Sequence, residues 1–430
     1  MNRRVFRDAT LDAMRGIGDP ALEDALEDGR QPDASYFAVV AQHGLGTALD
    51  KLDGSQTVLD VVTDDANAAL TELGEYVIDP GIAIGRARDL FSYFGDEISA
   101  SLLLAGLPDA YACEWGARVL IAHGDLFWAL PRRVRETAMF LMSVFAKDPV
   151  DPQTQTSDGI QNLIRTCAGL RLFHHMVRSQ IAGADDEVKR ALGPENATPI
   201  NQEDLLGTLL SFTVTTFRVL DRFGVNWSDD DCETYLLYWD LVGAALGIGT
   251  KPVSDALGKN APDPLRPRTV DVASEVLDQL HDRQWFPVQD TIKRGAPFPW
   301  SGLAPGRMLG DALLAALTEA MPASKHAWPS LVIRELAPSV VRARLGLNGN
   351  GLTSYAAGWM AKRSSRAAFG RGATLRMMAN DVTRHAMESF LRAEGPPFVV
   401  PGLDLHELTT SSAVRPTLEL KPKGRPAVAP

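Results

Sequence analysis

Gly169–Arg178, GLRLFHHMVR, sets two arginines and two histidines into a run that is otherwise apolar. At about 100° per residue, Arg171, His174, His175 and Arg178 share one helix face. Leu163, Leu170, Leu172, Phe173, Met176, Val177 and Ile181 occupy most of the remaining circumference. A helix with so wide an apolar surface is largely buried. A charged stripe at this spacing is more often a solvated face carrying surface ion pairs. If the stripe is instead enclosed, its guanidiniums cannot shed their charge and need either carboxylates or an anionic ligand. An imidazole one turn from each arginine is then well placed to ligate a metal. The spacing alone leaves both readings open.

Outward from this segment, the 3.6-residue period dominates wherever a pattern is readable. It predicts helices over 8–16, 56–74, 86–105, 113–129, 132–146, 157–182, 202–223, 229–247, 270–283, 309–320, 331–345 and 373–393. Ser228-x-x-Asp231 is a capping-box-like helix start, and the acidic run Asp229 to Asp231 suits a positive helix N-terminus. Alternating strand patterns are scarce, the best being YFAVVAQ at 36–42. The Pro/Gly-rich stretches 249–267 and 294–306 read as ordered loops. The expected fold class is mainly α, one large helical domain over 1–411 followed by a flexible tail at 412–430.

Composition narrows the functions. With 430 residues, 45% hydrophobic and 23% charged, the chain can bury a large core. Its net charge of −11 and the lack of a clustered basic face argue against a nucleic-acid partner. Cys113, Cys167 and Cys232 lie far apart, so neither a disulfide framework nor a thiolate zinc site is implied, and a reducing cytoplasm fits. The twin arginines of MNRRVFRDAT are followed by an acidic stretch rather than the apolar region of an export signal. No window reaches the roughly 18 apolar residues of a membrane span. HGLGTALD at 43–50 has Leu49 where a dinucleotide fingerprint requires Gly or Ala. H-E-x-x-H, the phosphate-binding P-loop, G-x-S-x-G and the Glu-x-x-His of di-iron bundles are all missing.

Arg171-x-x-His174-x-x-x-Arg178 resembles the R-x-x-H-x-x-x-R signature of the latex clearing proteins, or rubber oxygenases, which share a domain with the MpaB-type oxygenases. PRRVRETAMFL at 131–141 resembles that family's R-x-x-K-T segment, mapping Arg133 and Thr137 onto its arginine and threonine and putting Glu136 at its lysine position. The helix pair INQEDLLGTLLSFTVTTFRVLDRFG and SDDDCETYLLYWDLVGAALGIG, with family-like segments at both ends, extends the resemblance over most of residues 10–400.

The resemblance implies a globin-like haem-binding core. One haem b would have His174 as the axial ligand of its iron, with Arg171 and Arg178 as cofactor-binding arginines. Haem propionates would suit a basic stripe, and neutral imidazole is a usual haem ligand. It places Glu136, Arg133 and Thr137 on the catalytic, oxygen-binding side. The implied reaction consumes dioxygen and oxidises a small apolar unsaturated substrate, by oxidative C=C cleavage of an isoprenoid-type compound. His175 points about 100° from His174 and reads as a neighbour or second donor. His43, His123, His281, His326, His385 and His406 read as structural, as do Tyr238 and Trp239. The alternative is a non-catalytic haem sensor or helical interaction protein.

Overall fold

The computed structural model describes residues 5–27, 49, 55–122, 130–147, 159–184, 186–193, 196–285, 304–347 and 371–392. Among these residues there are helices and no strand. The strand expected at 36–42 and the tail at 412–430 lie outside them.

In chain order the helices are α1 Asp8–Arg15, α2 Pro20–Glu27, α3 Ser55–Leu73, α4 Pro80–Ser101, α5 Leu107–Ala112, α6 Glu114–Ala122, α7 Leu130–Phe145, α8 Gln161–Ala182 and α9 Asp186–Leu192. They continue with α10 Gln202–Leu210, α11 Thr216–Phe223, α12 Asp229–Ala245, α13 Lys251–Leu257, α14 Val270–Gln284, α15 Pro305–Ala320, α16 Trp328–Leu336, α17 Ser339–Arg344 and α18 Arg371–Phe390. Two π-helical turns, Leu102–Gly106 and Ser211–Thr215, join α4 to α5 and α10 to α11 and touch each other.

The ends of these helices follow from local chemistry. Asp79 accepts hydrogen bonds from the amides of Gly81 and Ile82, with Pro80 in the first turn, so α4 starts well before the expected residue 86. Asn201 caps α10 through the amide of Asp204. Ser228 and Asp231 form the full capping box of α12. Gly224, at φ +71, closes α11 in the left-handed conformation that favours glycine. The helix expected over 331–345 is two, because Pro338 lacks an amide and holds Ala337 extended. The 249–267 stretch holds the short helix α13, and α2, α5 and α9 form where no helix was expected.

Packing divides the core into two apolar clusters. One lies among α1, α2, α3, α8, α10, α12 and α14; the other among α5, α6, α11, α15, α16 and α18. Phe94 and Trp227 pack against both, their ring centroids 5.5 Å apart. Phe94 also breaks the helical path of α4 (φ −109, ψ 20), and this bend lets one helix serve both clusters. A third, small cluster of Val119, Met139, Phe173, Val177, Ile181 and Leu192 wedges α6, α7 and α9 against α8. Helix α8 therefore has neighbours on nearly every side: α2, α3, α7, α9 and α12.

Candidate functional site

The polar stripe of α8 is enclosed, not solvated. Arg171 is 1% exposed, Arg178 7% and His175 8%. Arg171 satisfies its charge inside the protein. Its Nε and one terminal nitrogen donate to the two oxygens of Asp19 at 2.6 and 2.7 Å, and the other terminal nitrogen donates to Asp65 Oδ2 at 2.7 Å. Burial by itself would favour loss of the arginine's proton, but Asp19 and Asp65 outweigh it and hold the group above its ordinary range. Asp19 also accepts from the amide of Leu22 at the start of α2, so one carboxylate ties a helix start to the arginine.

The backbone around Arg171 is shaped to admit it. Gly247, at φ +78, lies so close that a Cβ there would come within 2.7 Å of Arg171 Nε. Gln202 braces this turn: its amide nitrogen donates to the carbonyls of Gly18 and Gly247, and its oxygen accepts from the amide of Gly249. Arg178 is held more loosely. It donates to the carbonyl of Ile200 at 3.2 Å and has Glu23 Oε1 3.3 Å from its Nε, while its second terminal nitrogen is enclosed with no hydrogen-bond partner among the described residues. Burial pulls its pKa below the ordinary arginine value. Ile200 adopts φ +52, rare for a β-branched residue, and this strained backbone carries the carbonyl that meets Arg178.

His174 sits between the two arginines. Its Nδ1 is enclosed and has no hydrogen-bond partner among the described residues, although the ring as a whole keeps part of its surface accessible. Burial, reinforced by the positive charges of Arg178 and Arg133, pushes its pKa down to about 3, so the imidazole is neutral at physiological pH. His175 is likewise lowered by burial and by Arg178, and its Nδ1 is also enclosed without a partner among the described residues. Among the described residues no group of three or more His, Cys, Asp or Glu is gathered to hold a metal ion. A lone neutral imidazole suits a metal that arrives with most of its other donors, as iron does in a porphyrin.

Helix α7 brings the other expected residues to the same region. The Arg133 guanidinium lies 5.2 Å from the centroid of the Phe173 ring, next to His174 in sequence. Arg133 also donates to Glu136 Oε2 at 2.7 Å, and Arg132 Nε lies 3.8 Å from the other glutamate oxygen. Thr137 Oγ1 donates back to the carbonyl of Arg133 at 3.0 Å. Glu136 thus finds its ion-pair partners on its own helix and is a quarter exposed.

Sequence reasoning missed Asp19, Asp65, Gln202, Gly247 and Ile200. Gly18-Asp19-Pro20 is a helix-start signature that could have marked Asp19, and Asp65 is a half-buried carboxylate on a helix whose buried residues are apolar. Nothing local marks Gly247 or Ile200.

A family model described as the ER-bound oxygenase mpaB/B′ and rubber oxygenase catalytic domain matches residues 88–367. Among solved structures, that of latex clearing protein LCP in the closed state aligns with a TM-score of 0.55, covering 87% of this chain and 91% of that one at 18% identity, which shows a shared fold. No curated protein sequence matches the chain.

Proposed function

Because this chain belongs to the family of the mpaB/B′ and rubber oxygenase catalytic domain, we propose that it is a haem b-dependent oxygenase acting on a small apolar unsaturated substrate. The observation that carries the haem is His174: a neutral imidazole with an unpartnered enclosed nitrogen, held between two buried arginines. When bound, the haem iron would supply the dioxygen and redox chemistry, and oxidative cleavage of an isoprenoid-type C=C bond is the proposed outcome.

The chain's own residues divide the work. His174 would ligate the iron. Arg178, with an enclosed guanidinium nitrogen left without a partner among the described residues, is suited to an anionic haem side chain. The guanidinium of Arg171 already holds two carboxylates, so its part in cofactor binding is to fix the helix that presents His174. On α7, Arg133 holds Glu136 in place, and Glu136 is the group that could take or give a proton on the oxygen side. Thr137, bonded to the backbone, keeps its hydroxyl oxygen available as an acceptor. Cys113, Cys167 and Cys232 are free thiols, in keeping with the reducing cytoplasm that belongs to this proposal. No described helix is long and apolar enough to cross a membrane.

The test begins with the absorption spectrum of protein expressed with ample haem supply. A Soret band with near-stoichiometric extractable haem in the wild type, kept by His175→Ala and lost by His174→Ala, is the expected result. Both variants should keep their far-UV circular dichroism. A colourless His175→Ala beside a coloured His174→Ala would move the ligand. Incubation with short unsaturated terpenoids under isotopically labelled dioxygen then reads the reaction: label in both carbonyl oxygens means cleavage by a dioxygenase. Label in one hydroxyl or epoxide oxygen means a monooxygenase, and the absence of oxygen uptake with every substrate favours a haem sensor.

A further inference from the structure

We propose that Asp19 and Asp65 are positioning residues for His174, acting through Arg171 as a clamp that sets the height and rotation of α8; the proposal rests on the haem reading above. Arg171 precedes His174 by three residues, a little under one helical turn, so a shift of its guanidinium is passed to the imidazole by rigid helix geometry. Three separate parts of the chain meet it, and a fourth braces them. Asp19 comes from the α1–α2 turn and engages two guanidinium nitrogens, while Asp65 comes from the middle of α3 and engages the third. Gly247, in the turn after α12, closes over the guanidinium, and Gln202 at the start of α10 locks the Gly18 and Gly247 carbonyls together.

Two features distinguish this from an ordinary buried ion pair. First, the fork geometry is directional: Asp19 meets the Nε edge and Asp65 the far terminal nitrogen, so together they fix the guanidinium plane as well as its charge. Second, both carboxylates precede residue 88, where the family match begins, whereas His174 and Arg171 lie inside it. The N-terminal segment of this chain therefore supplies both carboxylates of the clamp, in the way outer-shell partners hold metal-ligating side chains.

The experiment compares Asp65→Asn, which leaves the Asp19 fork intact, with Asp19→Asn and with Glu114→Gln. The last breaks the similarly buried Glu114–Arg118 pair (2.9 Å) on α6, apart from the residues that meet Arg171, and controls for general loss of stability. In cofactor-free protein, amide hydrogen exchange over 171–178 should be roughly tenfold faster in Asp65→Asn than in Glu114→Gln, and faster still in Asp19→Asn. In haem-loaded protein, transfer of haem to apomyoglobin should speed up by about 10–100-fold in the Asp65 and Asp19 variants. The iron–histidine stretching band of their ferrous forms should shift or broaden, which a general stability loss does not cause. Equal exchange over 171–178 and an unmoved band in Asp65→Asn relative to Glu114→Gln would overturn the clamp. The exchange measurement needs no haem. A wild type that takes up no haem would sink the cofactor reading, while exchange still decides whether the clamp exists.

Discussion

Arg171 and Asp19, 152 positions apart in sequence, form a two-pronged pair in which Nε and a terminal nitrogen each meet a different carboxylate oxygen, at 2.6 and 2.7 Å. Both side chains are almost completely enclosed. Arg171→Ala leaves the buried Asp19 and the half-buried Asp65 without their cation, a loss on the order of 3–5 kcal/mol. A surface arginine change stays within about 0.5 kcal/mol. Urea unfolding of Arg171→Ala beside Arg384→Ala, on the exposed face of α18, separates the two.

Gly247 offers a backbone counterpart. Alanine there must adopt φ +78, at about 1–2 kcal/mol, and its methyl would also sit within 2.7 Å of Arg171 Nε. At Gly224, φ +71, nothing lies within 4 Å of the place a methyl would take, so alanine meets only the conformational cost. Gly247→Ala should therefore lower the unfolding midpoint clearly more than Gly224→Ala. Equal midpoints would mean that Arg171 can move aside freely.

Asp109 gives the pH dependence. It lies against the paired π-helical turns, 5% exposed, with one oxygen accepting from Thr215 and the other enclosed without a partner among the described residues. Burial raises its pKa to about 7. The folded protein therefore holds a proton there that the unfolded chain releases near 3.8, its ordinary value. This contribution to stability is complete below about pH 4 and is lost as pH rises through 7, by at most about 1.4 kcal/mol per pH unit. Asp109→Asn should remove that decline, gaining more in melting temperature at pH 8 than at pH 5. A parallel offset at both values would mean that Asp109 is ionised in the fold throughout.

Glu136 tests the proposed acid/base role. Its pairs with Arg133 and Arg132 are a quarter exposed, so Glu136→Gln should change stability by no more than about 1 kcal/mol. Haem content should be unchanged, while labelled-oxygen incorporation into product falls by about a hundredfold or more, the usual size of a lost acid/base group. Unaltered turnover would leave Glu136 with the single task of holding Arg133.

The class of fold and helix α8 were both legible before any tertiary contact was known, because both rest on local periodicity. The apolar circumference of α8 was readable in Leu163 to Ile181, and the Ser228–Asp231 box in four consecutive residues. The pairing of short motifs with their order along the chain pointed to the family, and residues 88–367 match it. Whether the arginine stripe faced water or the interior was not legible, since the same spacing serves both. That was decided by α2, α3, α7, α9 and α12 closing around α8. Asp19, Asp65 and Gly247 became partners of Arg171 only through that closure. A buried guanidinium demands carboxylates but says nothing of where in the chain they will come from; long-range packing decides, and no local pattern encodes it.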